Sequence, residues 1–229
     1  MVYFIHEYEE LIREKGLRGI VSLYDNYPNN TSFTNIMIAA LQTGNLDVIK
    51  WISQVKPEEI TSSDMYIASR NGHLHIVQWL HENIVLNCTT AAMDYAAMHG
   101  HLETVKWLHN YRSEGCTNYA MDFAAMNGHY EVIEWLHKNR KEGCTVSGIR
   151  RAIEHNHLDI AFYLLKQYPI NIVRIYDKGY QSLLPLIQKH FREVFMKIRA
   201  DVMIKRFISK KIVYHPSSPY IRRLIQTFT

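Results

Sequence analysis

Three cysteines, thirteen histidines and two matched aspartates are the residues of this 229-residue chain that could do chemistry. Cys88, Cys116 and Cys144, joined by histidines, would suit a zinc ion or a disulfide. Asp94 and Asp122 would suit paired carboxylates for acid–base work. Their spacing argues against all three uses. The cysteines recur every 28 residues, and so do Asp94 and Asp122, the column His73, His101, His129 and His157, and the column His81, His109 and His137. Residues that return at a fixed period belong to successive copies of one unit. Stacked helix pairs place equivalent residues about 10 Å apart. Zinc ligands must all lie ~2.0–2.3 Å from one ion. Bridged cysteines need Cα atoms within about 7 Å. The ladders are therefore expected to pack, with no metal, disulfide or cofactor. The His73 column is expected to cap helices and to hydrogen-bond between units.

Other catalytic signatures do not appear. The chain has no GxxxxGK[ST], GxGxxG, HExxH or GxSxG. An enzyme would be expected to interrupt the repeat with unique residues, and nothing interrupts residues 5–172. We expect no catalytic residue.

The elements that position these columns follow from the same register. Gly16, Gly44, Gly72, Gly100 and Gly128 keep the step, followed by Asn156; so do Trp51, Trp79, Trp107 and Trp135, followed by Tyr163; and so do Ala40, Ala68, Ala96, Ala124 and Ala152. Six units result: 5–32, 33–60, 61–88, 89–116, 117–144 and 145–172. Each reads as two short helices. In Thr89–Cys116, Ala92, Ala96 and Ala97 allow close packing of the first helix, with Met93 between them. Gly100 suits the left-handed position that ends it. Leu102, Val105, Trp107 and Leu108 fall at helical spacing on the second helix, and the Trp column is expected in the core. One such pair cannot bury its apolar face, whereas a stack can. The fold class is therefore all-α, a solenoid of about six helix-turn-helix units with N- and C-terminal caps. Residues 1–32 form the cap and a degenerate first unit, 33–172 the repeats, and 173–229 a degenerate unit and a basic helical cap.

Composition fits an ordinary globular chain, 47% hydrophobic and 21% charged. No apolar run reaches the ~18 residues of a membrane span. The start, MVYFIHEYEELIREKG, carries acids and no small-residue cleavage site, so an intracellular protein is expected. Charge is uneven. Residues 1–188 hold sixteen basic and twenty acidic side chains, and from Lys189 onward ten basic face two acidic. A helix over 190–212 would carry Arg192, Lys197, Arg199, Lys205, Arg206, Lys210 and Lys211. It is expected to be a cap with a solvated basic face. Contact with nucleic acid or anionic membrane is the alternative.

The segments NGHLHIVQWL, HGHLETVKWL and NGHYEVIEWL resemble the second-helix motif of ankyrin repeats, and YAAMHGH and FAAMNGH resemble the end of the ankyrin first helix. The likeness covers residues 33–165 well and 5–32 loosely. The step departs from the usual ~33 residues, and AMDY and AMDF stand where ankyrins carry TPLH. A tetratricopeptide array, with its ~34-residue step, fits worse. Unit endings such as WLHNYRSEGC and WLHKNRKEGC resemble the short ankyrin arrays of giant amoeba-infecting viruses and some protists. The resemblance implies a non-catalytic protein-binding scaffold, with no small-molecule substrate. A viral origin would imply a host protein as partner and the host cytoplasm as its place, with the nucleus also open. A ubiquitin-ligase substrate receptor is the alternative, resting on a faint F-box likeness at Leu183-Leu184-Pro185-Leu186-Ile187.

In such arrays the first helices line the concave face. Its exposed positions would be Tyr66, Arg70 and Asn71; Asp94, Tyr95, Met98 and His99; Tyr119, Asp122, Phe123, Met126 and Asn127; and Arg151 at one end. Aromatic residues and Met are enriched at protein interfaces. Tyr95, Phe123, Met98 and Met126 carry an alternative, packing between units.

Overall fold

The computed structural model describes residues 4–84 and 88–168. Residues 169–229 lie outside it, and with them the basic segment, the degenerate unit and the F-box-like residues. Among the described residues there are eleven α-helices and no strand. None of the helices is long and apolar enough to cross a membrane.

Helix α1 (Ile5–Asn26) bends at Gly16, whose φ of 57° and ψ of −147° are not helical, so it is itself a helix pair in one element. Five further pairs follow: α2 (Phe33–Thr43) with α3 (Leu46–Val55), α4 (Ser62–Arg70) with α5 (Leu74–Asn83), α6 (Ala91–Met98) with α7 (Leu102–Tyr111), α8 (Asn118–Asn127) with α9 (Tyr130–Asn139), and α10 (Val146–Glu154) with α11 (Leu158–Gln167).

The turn inside each pair is chemically uniform. The N–H of Asn45, His73, His101, His129 and His157 bonds back to the carbonyl of Ala40, Ala68, Ala96, Ala124 and Ala152, at 2.8–3.0 Å. This back-bond across a left-handed residue satisfies a carbonyl that the helix end leaves open. Glycine fills the left-handed position in four of these turns, and Asn156 fills it in the last with φ 64°. Threonine or serine opens most first helices: Ser32, Thr117 and Thr145 each accept from a backbone N–H of the first turn. Thr61 and Asp64 form a capping box on α4.

Successive first helices pack closely against one another, whereas second helices touch their counterparts only lightly. Residue size explains the difference. Ala68, Ala96, Ala97, Ala124 and Ala125 are fully buried and let the first-helix backbones approach. Met37, Met65, Met93 and Met121 fill the spaces between units. First helices therefore approach one another more closely than second helices do. Val48, Ile49 and Ile52, and their counterparts Ile76, Val77 and Leu80, close the core from the second helices.

One packing expectation is corrected. Trp51, Trp79, Trp107 and Trp135 are half-buried, not core. Trp51 lies against Tyr24 and Phe33, and Trp107 and Trp135 lie against rings of the preceding unit. His81 of the preceding unit meets Trp107 edge-on at 5.2 Å, and Tyr111 stacks on that ring at 5.0 Å. His109 meets Trp135 in the same way at 5.1 Å.

Candidate protein-binding face

The aspartates anticipated on the concave face are the first correction. Asp94 is 8% exposed and Asp122 only 3%. Each caps the first helix of the following unit. Asp94 accepts from the Thr117 N–H at 2.8 Å and from the Thr117 hydroxyl at 2.9 Å, and also from the Ala120 N–H. Asp122 accepts from the N–H of Thr145 at 2.8 Å, from its hydroxyl, and from the Gly148 N–H. These donors are the open N–H groups of a helix start, where a carboxylate is also favoured by the helix dipole. Burial pushes both carboxyl groups above the usual range, while the threonine hydrogen bonds pull them down. Gly148 is needed for this approach, since a Cβ there would fall on the Asp122 carboxylate. Neither aspartate is available to a partner.

The His73 column is corrected in part. His73, His101, His129 and His157 occupy the N-cap positions of α5, α7, α9 and α11, but their side chains do not cap those helices. The rings reach back one unit instead. His73 Nε2 donates to the Gln42 carbonyl at 3.1 Å, His101 Nε2 to the Arg70 carbonyl at 2.9 Å, and His129 to the Met98 carbonyl. Each acceptor lies at the end of a first helix, where carbonyls lack intrahelical donors. Burial lowers the pKa of His101 and His129, which keeps the rings neutral with one nitrogen protonated.

A third inter-unit joint was not anticipated. Arg112 donates to Glu114 through two nitrogens, one pair at 3.2 Å, and lies 3.2 Å from His81 Nδ1 of the preceding unit. Arg140 repeats this with Glu142 and His109. Burial opposes ionisation of Glu114 and Glu142, yet the arginine bonds and backbone donors prevail and hold both below the usual carboxylate range. The signal was the recurrence of Arg-x-Glu-Gly-Cys at 112–116 and 140–144. In the last register Tyr168 replaces the arginine, with its hydroxyl 2.9 Å from His137 Nδ1. None of the three cysteines is in a disulfide, and burial raises Cys116 to about 11. Among the described residues no group of three His, Cys, Asp or Glu is placed to hold a metal ion.

What remains on the first helices is an aromatic stripe. Tyr66 of α4 and Tyr95 of α6 meet at 5.5 Å between ring centroids, so Tyr95 both packs between units and stays 39% exposed. Tyr119, 59% exposed, and half-buried Phe123 meet at 5.6 Å on α8. Met98 and Met126 are half-buried beside them. The Arg151 guanidinium of α10 lies 5.0 Å from the Phe123 ring centre and touches Met126 Sδ at 4.0 Å. Arg70 is exposed and donates to His99 Nε2 at 3.3 Å. Asn71 turns its amide back to the Ile67 carbonyl at 2.9 Å, and Asn127 bridges to the Met98 carbonyl at 2.7 Å. These two therefore tie helix ends while remaining half-exposed.

The chain was compared with known proteins. Residues 93–137, from α6 through most of α9, match the family model described as ankyrin repeats in many copies. A search of the curated proteins found no significant match. With its helices alone, the described part is an ankyrin-type solenoid. Ankyrin repeats generally mediate protein–protein interaction and are typically non-catalytic.

Proposed function

We propose that this protein is a non-catalytic scaffold that binds a protein partner through the first-helix face of its solenoid. The observation that carries this reading is the stripe Tyr66, Tyr95, Tyr119 and Phe123. Large aromatic side chains stand partly exposed in neighbouring units, on helices whose aspartates Asp94 and Asp122 are taken up in holding the units together. Aromatic residues at this exposure offer large contact area with little side-chain entropy to lose on binding. That the partner belongs to a host cell rests on the likeness of the unit endings to viral arrays alone.

Affinity capture with the full chain tests the reading, run beside Tyr95→Arg/Tyr119→Arg. Both positions are exposed, so the variant keeps the fold, which circular dichroism checks. The reading expects a partner held by the parent chain and lost by the variant. Equal capture of every partner by both chains would refute it.

A further inference from the structure

We infer that the first-helix face selects an acidic linear segment, with apolar side chains in its middle and carboxylates toward its ends. The inference rests on the proposed use of this face and adds the chemistry of its ligand.

The charge on the face supports it. Among the described residues, the first helices α2, α4, α6, α8 and α10 carry four acids: Asp64, Asp94, Asp122 and Glu154. Asp64 is buried in its own capping box, and Asp94 and Asp122 are buried in the inter-unit caps. Glu154 is paired with Arg150 at 2.8 Å. No acid on these helices is left free to greet a cation. Two arginines are left over. Among the described residues neither Arg70 nor Arg151 forms an ion pair with a carboxylate within bonding distance. Arg70 donates to His99, whose pKa is lowered by burial and by Arg70 itself, so its partner is a neutral ring. Arg151 lies over Phe123 and near Asp122, but the oxygens of Asp122 are already taken by Thr145 and Gly148.

The order of the residues gives the ligand its pattern. The first helices stack α4, α6, α8, α10. Arg70 stands on α4 at one end of the aromatic stripe and Arg151 on α10 at the other. Three helix spacings of about 10 Å separate those ends. An extended chain advances about 3.3 Å per residue, so about nine residues span the stripe. Carboxylates at the two ends would meet the guanidinium groups, and apolar side chains between them would lie against the rings. A basic segment would bring cations against two arginines that make no ion pair with a carboxylate among the described residues.

The test is selection from a displayed library of random linear peptides on the full chain. Enriched peptides are measured by fluorescence anisotropy on the parent, on Arg70→Glu/Arg151→Glu and on Tyr95→Ala/Phe123→Ala, each confirmed folded by circular dichroism. Acid-rich peptides that lose at least tenfold affinity on both variants support the inference. Acid-rich peptides that bind all three chains equally overturn it, because their site is then elsewhere on the chain. Peptides without acids that depend on Tyr95 and Phe123 overturn the acidic preference and leave the face as the binding surface. If no enriched peptide depends on either variant, or none is enriched, both the inference and the face reading fall.

Discussion

Replacing Gly100 by asparagine separates two demands that the glycine column meets at once. Gly100 has φ +78°, and a Cβ built on it would lie 2.5 Å from His129 Nδ1 of the following unit. Asparagine tolerates the left-handed conformation better than other residues, so that term stays below the ~1–2 kcal/mol an ordinary side chain suffers there. The ring cannot stay. Displacing a packed group costs about 1–3 kcal/mol, and losing its hydrogen bond to the Met98 carbonyl about 1 kcal/mol more. That carbonyl keeps the Asn127 amide at 2.7 Å, so no buried acceptor is orphaned. The expected loss is roughly 2–4 kcal/mol, or a melting point lower by about 5–15 °C for a chain of this size. The chain contains its own control. Asn156 occupies the same register with φ 64°, so asparagine is accepted in this turn. The assay is urea denaturation followed by circular dichroism, on Gly100→Asn, His129→Ala and the double variant. With the ring removed, asparagine should cost under about 1 kcal/mol, giving a coupling of roughly 1–3 kcal/mol. Additive losses, within about 0.5 kcal/mol, would show that the ring does not make glycine necessary.

Asp122→Ala should destabilise by about 2–3 kcal/mol, because it strips a buried carboxylate from the Thr145 and Gly148 donors; a change under about 0.5 kcal/mol in thermal unfolding would contradict the cap. Trp107→Ala should cost about 1–3 kcal/mol, less than the 3–5 typical of a core tryptophan, since the ring is half-buried between His81 and Tyr111. Acid should act in two opposed ways. His101 and His129 have lowered pKa values when folded, so the unfolded chain protonates first, and stability falls as pH drops through about 6.5. Asp64 is raised to about 6, so the folded chain protonates first there, and acid adds stability from about pH 6 downward. Melting temperatures between pH 7.5 and about 5 should therefore fall less steeply for His101→Gln and more steeply for Asp64→Asn; unchanged slopes in both would refute the assignment. Cys116, held at about 11, should resist iodoacetamide at neutral pH until the chain unfolds, as mass spectrometry of the labelled thiol would show.

The helix pairs and their turns were legible because glycine, alanine and the apolar residues of the second helices report backbone geometry directly. Gly44 to Gly128 mark the left-handed turns and Val105 and Leu108 the core. Residue type misled where one side chain serves two units. Asp94 and Asp122 look like surface acids within their own helix; only the next unit, with its open Thr117 and Thr145 N–H groups, explains their burial. Trp107 looks like core by type, yet its place depends on how closely neighbouring second helices approach, which a single unit does not encode. Arg112 and Glu114 recur with Cys116 as Arg140 and Glu142 do with Cys144, but each arginine also meets a histidine 31 positions earlier, beyond any local pattern.

All three polar joints connect a unit to its immediate neighbour and repeat in register: His101 to the Arg70 carbonyl, Asp94 to Thr117, and Arg112 to His81. An unequal crossover between the fourth and fifth units in the gene would therefore insert one whole unit with each joint reconstituted at the splice. The array can change length in a single genetic event, without a new interface having to evolve. That freedom is bounded on both sides: Tyr66 and Ile84 of the third unit stand in the registers of Asp94 and Arg112, and Arg150 and Asn156 of the sixth stand in those of the aspartates and glycines. A copy of the fourth or fifth unit would bring its own aspartate and glycine with it, whereas a copy of the sixth would not.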